Sequence, residues 1–312
     1  MAQPSSYTFE INEAQGQLLR NALEQRYFEF KNLPYGHFSA KKGKCGVNYY
    51  HSGKLVVNGK EAQAFVEFCL EPEILGEVVT GYDIERNPEM FEPHFGIDEA
   101  GKGDFFGPLV IAGVFVNKEI AKRFLDAGVK DSKKLTDKRA DDLGELIEKE
   151  LKDATGSLTA CEIISIGPAR YNELYNQFRN LNSMLAWAHA KVIENLKGRI
   201  PDCPRALSDQ FARPQLIESQ LEKKNVQILL QQRTKAESDI AVAAASILAR
   251  RRFLHELDKL GEKPGEKLLK GAGAQVLKQG KKIFKNQGIE VLATVSKRHF
   301  KTFREATEPS LI

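Results

Sequence analysis

The sequence predicts two folded units in series, a small α+β unit followed by a larger layered α/β domain. Three observations carry this. Short strand patterns broken by Gly, Asn and Pro turns occupy the first part of the chain. From residue 94 onward, apolar β-rich runs alternate with long helical periods, which is the pattern of a sheet covered by helices. Between the two, residues 81–93 (GYDIERNPEMFEP) contain two prolines and no clear period, so they read as a connector. The expected division is 1–84, a linker at 85–93, and 94–312. A chain of 312 residues is long enough to build a core in each part.

In the first unit, Tyr7–Ile11 alternates as a strand, and Glu13–Tyr27 has helical spacing through Leu18, Leu19 and Leu23. Tyr27–Phe30, Cys45–Tyr50 and Lys54–Val57 are strand candidates. They are separated by turns at Leu33–Gly36, His51–Gly53 and Asn58-Gly59, and a helix through Ala64, Phe65 and Phe68 follows. In the second unit, His94–Asp98, Leu109–Asn117, Leu158–Ser165, Ala206–Asp209 and Val226–Gln231 read as strands. Helices are expected over Lys118–Ala127, Asp137–Leu151, one long helix over Tyr171–Leu196, and Ile240–Leu260, with basic helices closing the chain.

Composition excludes several classes. No apolar run approaches the roughly 20 residues of a membrane helix, and Met1–Ser6 lacks the basic and apolar regions of a signal peptide. A cytoplasmic protein is expected. The four cysteines (Cys45, Cys69, Cys161, Cys203) form no CxxC pair, which argues for buried free thiols over a zinc ribbon or a disulfide framework. Net charge is only +4, but it is unevenly spread: residues 1–60 hold eight Lys/Arg against four Asp/Glu, and Arg233–Arg304 holds seventeen against seven. Two basic regions suit two surfaces for a polyanion, or simply solvated helix faces.

The chemistry concentrates in Gly96–Pro108 (GIDEAGKGDFFGP). Neighbouring strand residues point to opposite faces, so Asp98 and Glu99 share a site only if the strand ends there and the chain bends. Gly101 and Gly103 permit a bend and a close approach of backbone N–H groups to an anion, and Lys102 adds a positive charge. An exposed strand-end turn fits the same pattern. Asp209 ends an apolar stretch, a favoured place for a ligand site, though taken alone it reads first as an ordinary loop cap. Before the Ala-rich helix stand Glu237, Ser238 and Asp239; one of the last two serves as N-cap, leaving Glu237 as the spare acid. Arg250–Arg252 could meet phosphates or solvent. Such carboxylates suit two hard divalent ions and a phosphodiester. His189, on an apolar helix, reads as a core residue.

GIDEAGKGDFFGP resembles the opening motif of the type 2 ribonucleases H, and its GKG resembles the ribonuclease HIII branch, since ribonuclease HII usually carries GRG. Asp131–Leu135, Tyr171-Asn172, Asn180–Asn182, Trp187–Ala190, Leu207–Asp209, Ala243–Ala249 and Lys297–Phe300 (as part of the closing helix) agree in order, so the resemblance covers about 94–304. More weakly, Phe38–Gly59 is similar to the TATA-binding-protein-like domain of ribonuclease HIII, which ribonuclease HII lacks.

The resemblance implies a ribonuclease H-like layered catalytic domain with a mixed sheet. It implies an endonuclease cutting the RNA strand of RNA/DNA hybrids to 5′-phosphate and 3′-hydroxyl ends, with two Mg²⁺ or Mn²⁺ ions. Asp98 would bridge the two ions, with Glu99, Asp209 and Glu237 (Asp239 competing) completing the set. Gly101, Lys102, Gly103, Ser132, Lys133 and Lys134 would grip the hybrid. The N-terminal unit would bind it through a strand face bearing Lys41, Lys42, Lys44, Tyr49, Tyr50 and Lys54. A monomer suffices, and no obligate protein partner is implied. The competing readings are a ribonuclease HII-like incision at single embedded ribonucleotides and a non-catalytic nucleic-acid-binding protein.

Overall fold

The computed structural model describes residues 6–75, 88–129, 135–156, 158–234 and 236–308. The expected linker as far as residue 87 and the segment Asp131–Lys134 lie outside them. The chain divides into two compact units, Met1–Glu85 and Arg86–Ile312.

In the first unit, β1 (Ser6–Glu10), β2 (Glu29–Lys31), β3 (Gly36–Lys42), β4 (Cys45–Tyr50) and β5 (Lys54–Asn58) form an antiparallel sheet in the order β1-β5-β4-β3-β2. Helix α1 (Glu13–Gln25) starts at Asn12, whose side chain accepts from Gln15 N while Gln15 reaches back to the Asn12 N–H. Helix α2 (Ala62–Phe65) runs on as a π-helical stretch, Val66–Leu75. Leu19, Leu23, Phe38, Ala40, Val47, Tyr49, Leu55 and Val57 are buried together with these helices. Every second strand residue therefore faces the helices, and its neighbours face away. Strand β3 was not anticipated from sequence. Its inward positions, Phe38 and Ala40, are only two, and polar residues on the uncovered face dilute the alternation.

In the second unit, β6 (His94–Ala100), β7 (Leu109–Val116), β8 (Cys161–Ile166), β9 (Arg205–Asp209) and β10 (Leu229–Arg233) form a mixed sheet in the order β10-β9-β6-β7-β8. β6, β7 and β8 are antiparallel, whereas β9 lies parallel to β6 and β10 parallel to β9. The helices are α3 (Lys118–Asp126), α4 (Asp137–Thr155), α5 (Pro168–Phe178), α6 (Leu181–Arg199), α7 (Gln215–Lys223), α8 (Ile240–Gly261), α9 (Ala274–Val295) and α10 (Lys301–Thr307). One face of β7 (Val110, Ala112, Val114) packs under α8, α3 and α4, and the other (Leu109, Ile111) under α5 and α6. The Ala run of α8 lets it lie directly on β6: a Cβ on Gly96 would fall 2.2 Å from the Ala241 carbonyl carbon.

Four sequence expectations change. The long helix is two, broken where Arg179 adopts φ 51° and Asn180 caps α6 by accepting from Ser183 N. Helix α7 was not foreseen, because only Ile217 and Leu221 mark its buried stripe. Strand β6 continues through Ala100. Lys297–Phe300 precede the closing helix and do not belong to it. The cysteines are all free and buried. Among the described residues, no helix is long and apolar enough to cross a membrane.

Candidate active site

The site forms where two parallel strands part. β6 and β9 are paired from Phe95↔Ala206 to Ile97↔Ser208 and no further, while β6 stays paired to β7 as far as Ala100. Asp98 and Asp209 are the next residues on either side of the divergence. The strand does not end at Asp98, so the bend expected there is not what joins the acids. Asp98 faces α8 and is hydrogen-bonded by Ser246, whereas Glu99 faces α6 and the His189 ring. At a strand edge whose neighbour has departed, both faces open onto one crevice. Ligand sites in α/β sheets favour this position.

Each carboxylate has its own surroundings. Burial, then the charge of Glu99 and more weakly that of Asp209, pushes Asp98 up to about 7, against the pull of Ser246. Burial also raises Glu99, but His189 and Lys102 outweigh it and leave Glu99 below the usual range. The Nε2–H of fully buried His189 donates to Glu99 Oε2 at 3.2 Å, and its Nδ1 lies 3.1 Å from Ser208 Oγ. Lys102 Nζ stands 3.5 Å from Glu99 Oε1 and 5.2 Å from the Phe211 ring centroid. Asp209 Oδ1 accepts from Ala236 N at 3.2 Å, which brings the half-buried Glu237 beside it.

Asp239 has a different task. Fully buried, its Oδ1 accepts from Ala241 N, Val242 N and His94 Nε2–H, at 2.9, 3.3 and 3.0 Å. It is the N-cap of α8, with Oδ1 committed to the helix start and to His94, while Oδ2 stands 3.8 Å from Arg233 Nη2. Among the described residues, no three His, Cys, Asp or Glu side chains already stand at metal-binding spacing. The donor set nonetheless fits a hard cation: its members are carboxylates, and Asp98 is held up by burial and by the negative charge of Glu99 and Asp209.

The glycine-flanked turn follows. Gly101 has φ +84°, and a Cβ there would lie 2.2 Å from Pro108 O, whereas a Cβ on Gly103 would meet nothing within 4 Å. Gly101 is thus required by the fold, and Gly103 leaves its outer side open. Ser132, Lys133 and Lys134 lie outside the described residues. Arg250 pairs with Asp137, Arg251 with Asp141 and Glu148, and Arg252 with Glu256, so the arginine run is engaged by acids of α4 and α8. In the first unit, Lys41, Tyr50 and Lys54 do lie on the uncovered sheet face, and Lys44 lies in the β3–β4 turn. Tyr49 does not: it is buried beneath α1, its hydroxyl donating to Asn12 O at 3.3 Å. Lys42 alternates to the helix side and donates to Arg26 O at 2.7 Å. Sequence reasoning missed Ser246, Phe211 and the polar role of His189; a histidine on an otherwise apolar stripe was the only signal.

A mixed sheet layered by helices, with acids at the diverging ends of adjacent strands, defines a ribonuclease H-like domain. A sequence profile described as ribonuclease HII matches residues 95–303, and one described as a domain of unknown function, DUF3378, matches 9–75. Ribonuclease HIII of Chlamydia pneumoniae is 42% identical over 304 residues, covering 97% of this chain and 98% of its own. Bst-RNase HIII, solved in complex with Mn²⁺, superposes with a TM-score of 0.63 at 27% identity, over 97% of this chain and 98% of that one. Ribonuclease H3 of Aquifex aeolicus gives 0.52 at 26% identity, over 93% and 98%. The chain belongs to the ribonuclease HII family, in its ribonuclease HIII branch.

Proposed function

We propose that the chain is a cytoplasmic endonuclease that hydrolyses the RNA strand of RNA/DNA hybrids, leaving 5′-phosphate and 3′-hydroxyl ends. The observation that carries this is the buried Asp98, crowded by Glu99 and Asp209 where β6 and β9 part. Asp98, Glu99, Asp209 and Glu237 are the residues that would hold two Mg²⁺ or Mn²⁺ ions. Such a pair supplies an activated water and neutralises charge on the departing 3′-oxygen.

The chain's own residues do the rest. His189 and Lys102 keep Glu99 ionised and aimed. Ser246 orients Asp98. With Asp239 capping α8, Glu237 is the acid assigned to the crevice. Backbone N–H groups of Gly101 to Gly103 and the Lys102 ammonium offer donors to sugar and phosphate, and a ribose 2′-hydroxyl is what separates RNA from DNA there. Ser132, Lys133 and Lys134 extend that grip. In the first unit, Lys41, Lys44, Tyr50 and Lys54 meet the hybrid backbone, without Tyr49 and Lys42. One chain supplies every group named, so a monomer suffices.

Asp98→Asn tests the reading. Cleavage of a labelled hybrid falls to background while hybrid affinity stays close to wild type, since the amide keeps the shape and loses the charge. Full cleavage by the variant would sink the assignment. A duplex with a single embedded ribonucleotide, assayed beside the long hybrid, is expected to be the poorer substrate.

A further inference from the structure

Lys297 lies between α9 and α10, and its side chain is wholly buried. Burying an amine is costly unless partners are built around it. Its partners are the ends of the glycine-flanked turn: Nζ donates to Gly101 O at 2.9 Å and to Asp104 O at 2.7 Å, and stands 5.5 Å from the Tyr171 ring centroid. The backbone that carries it is fastened on two sides. Lys297 N donates to Phe105 O at 2.9 Å and Gly107 N to Val295 O at 3.0 Å, so Val295–Lys297 runs antiparallel to Phe105–Gly107. Asn172 of α5 accepts from Arg298 N and donates to the carbonyls of Ala293 and Ser296.

A trans peptide points its C=O and its N–H in opposite directions. With the Gly101 carbonyl drawn inward onto Lys297, the N–H of Lys102 is turned outward. We infer that Lys297 is a positioning residue that fixes the Gly101–Lys102 peptide, so that the turn presents its N–H groups to a sugar-phosphate backbone. The inference rests on the nuclease reading above. Burial pushes Lys297 down to about 7, against the charge of Asp104, but a neutral amine keeps two N–H donors, one for each carbonyl.

The test is steady-state cleavage of a labelled RNA/DNA hybrid by the full chain as wild type, Lys297→Met and Lys297→Gln. Thermal unfolding and amide exchange of residues 99–106 are followed alongside. In Lys297→Met, KM rises about tenfold, the equivalent of one lost hydrogen bond, and kcat holds. Exchange in the turn quickens, while the melting temperature shifts only modestly, because relief from burying an amine offsets two carbonyls left without their donor. Lys297→Gln, which keeps an amide donor, recovers part of the KM. Identical KM in all three proteins overturns the inference, as does a loss of kcat that merely follows a loss of thermal stability. Should Lys297→Met fail to fold, Lys297→Gln against wild type decides by the same criteria. A wild-type chain that leaves the hybrid intact overturns the nuclease reading instead, and the exchange comparison then decides whether Lys297 pins the turn.

Discussion

At the scale of single residues, the site depends on groups that are not themselves the acids. His189 is a core residue by burial and a site residue by contact, because its ring spans from Glu99 to Ser208, next to Asp209. Outer partners of metal-ligating groups typically matter by about 10–100-fold in metal affinity or activity. His189→Phe fills the same space without a donor, so Mn²⁺ affinity or turnover is expected to drop by about that factor. A manganese titration of hybrid cleavage, with unfolding measured in parallel, reads it out; wild-type manganese dependence would show that the hydrogen bond is idle. Lys297 carries a pH signature of its own. Asp104, His299 and Tyr171 are the titratable groups set against it. Its folded value of about 7 lies below the ordinary lysine value of 10.5, so between those limits the unfolded chain binds the extra proton. Stability from this group therefore rises as pH climbs from 7 towards 10.5, and the penalty is fully present below 7. Urea unfolding should show wild type gaining stability relative to Lys297→Met across that range, and a constant difference would contradict the shift.

At the scale of elements, the acids converge because α8 can touch the sheet. Gly96 is the contact point, with the Ala241 and Val242 backbones where a side chain would be. Gly96→Ala forces α8 off β6 and is expected to cost about 1–3 kcal/mol, the usual range for overpacking, together with activity, since Glu237 and the Asp239 cap ride on the same helix start. Chemical denaturation checks the first and hybrid cleavage the second. These elements also show what a sequence can convey. Asp98 and Glu99 were read as a strand end and stand inside a strand that continues, whereas Asp209 at a strand end and the capped Ala-rich helix were legible because strand ends and helix caps are local patterns. The edge between β6 and β9 was not, because strand pairing between residues more than a hundred apart leaves no local mark. Tyr49 was misplaced for a local reason: neighbouring strand residues point to opposite faces, so Tyr49 and Tyr50 could not share one, and α1 covers the face of Tyr49. Arg179-Asn180 hid a helix break inside an unbroken apolar stripe.

At the scale of the molecule, the chain places its two basic-rich stretches in two separately folded units, each with its own core. The four candidate acids all lie in the second. The uncovered sheet face of the first carries Lys41, Tyr50 and Lys54 but none of the four acids. If that face grips the hybrid backbone, it adds phosphate contacts, and with them affinity and salt dependence, without touching the bond that breaks. Two linked sites on one duplex also raise each other's effective concentration. Removing residues 1–84 should therefore raise the hybrid dissociation constant by about tenfold or more, a loss of about 1.4 kcal/mol per factor of ten, while turnover at saturating hybrid changes little. The truncated chain's affinity should also fall less steeply with added salt, because fewer counterions are released. Binding isotherms at several salt concentrations, paired with saturating kinetics, measure both. Equal affinity and equal salt slope with and without the first unit would mean that its sheet face does not meet the substrate, and that the second unit alone determines recognition.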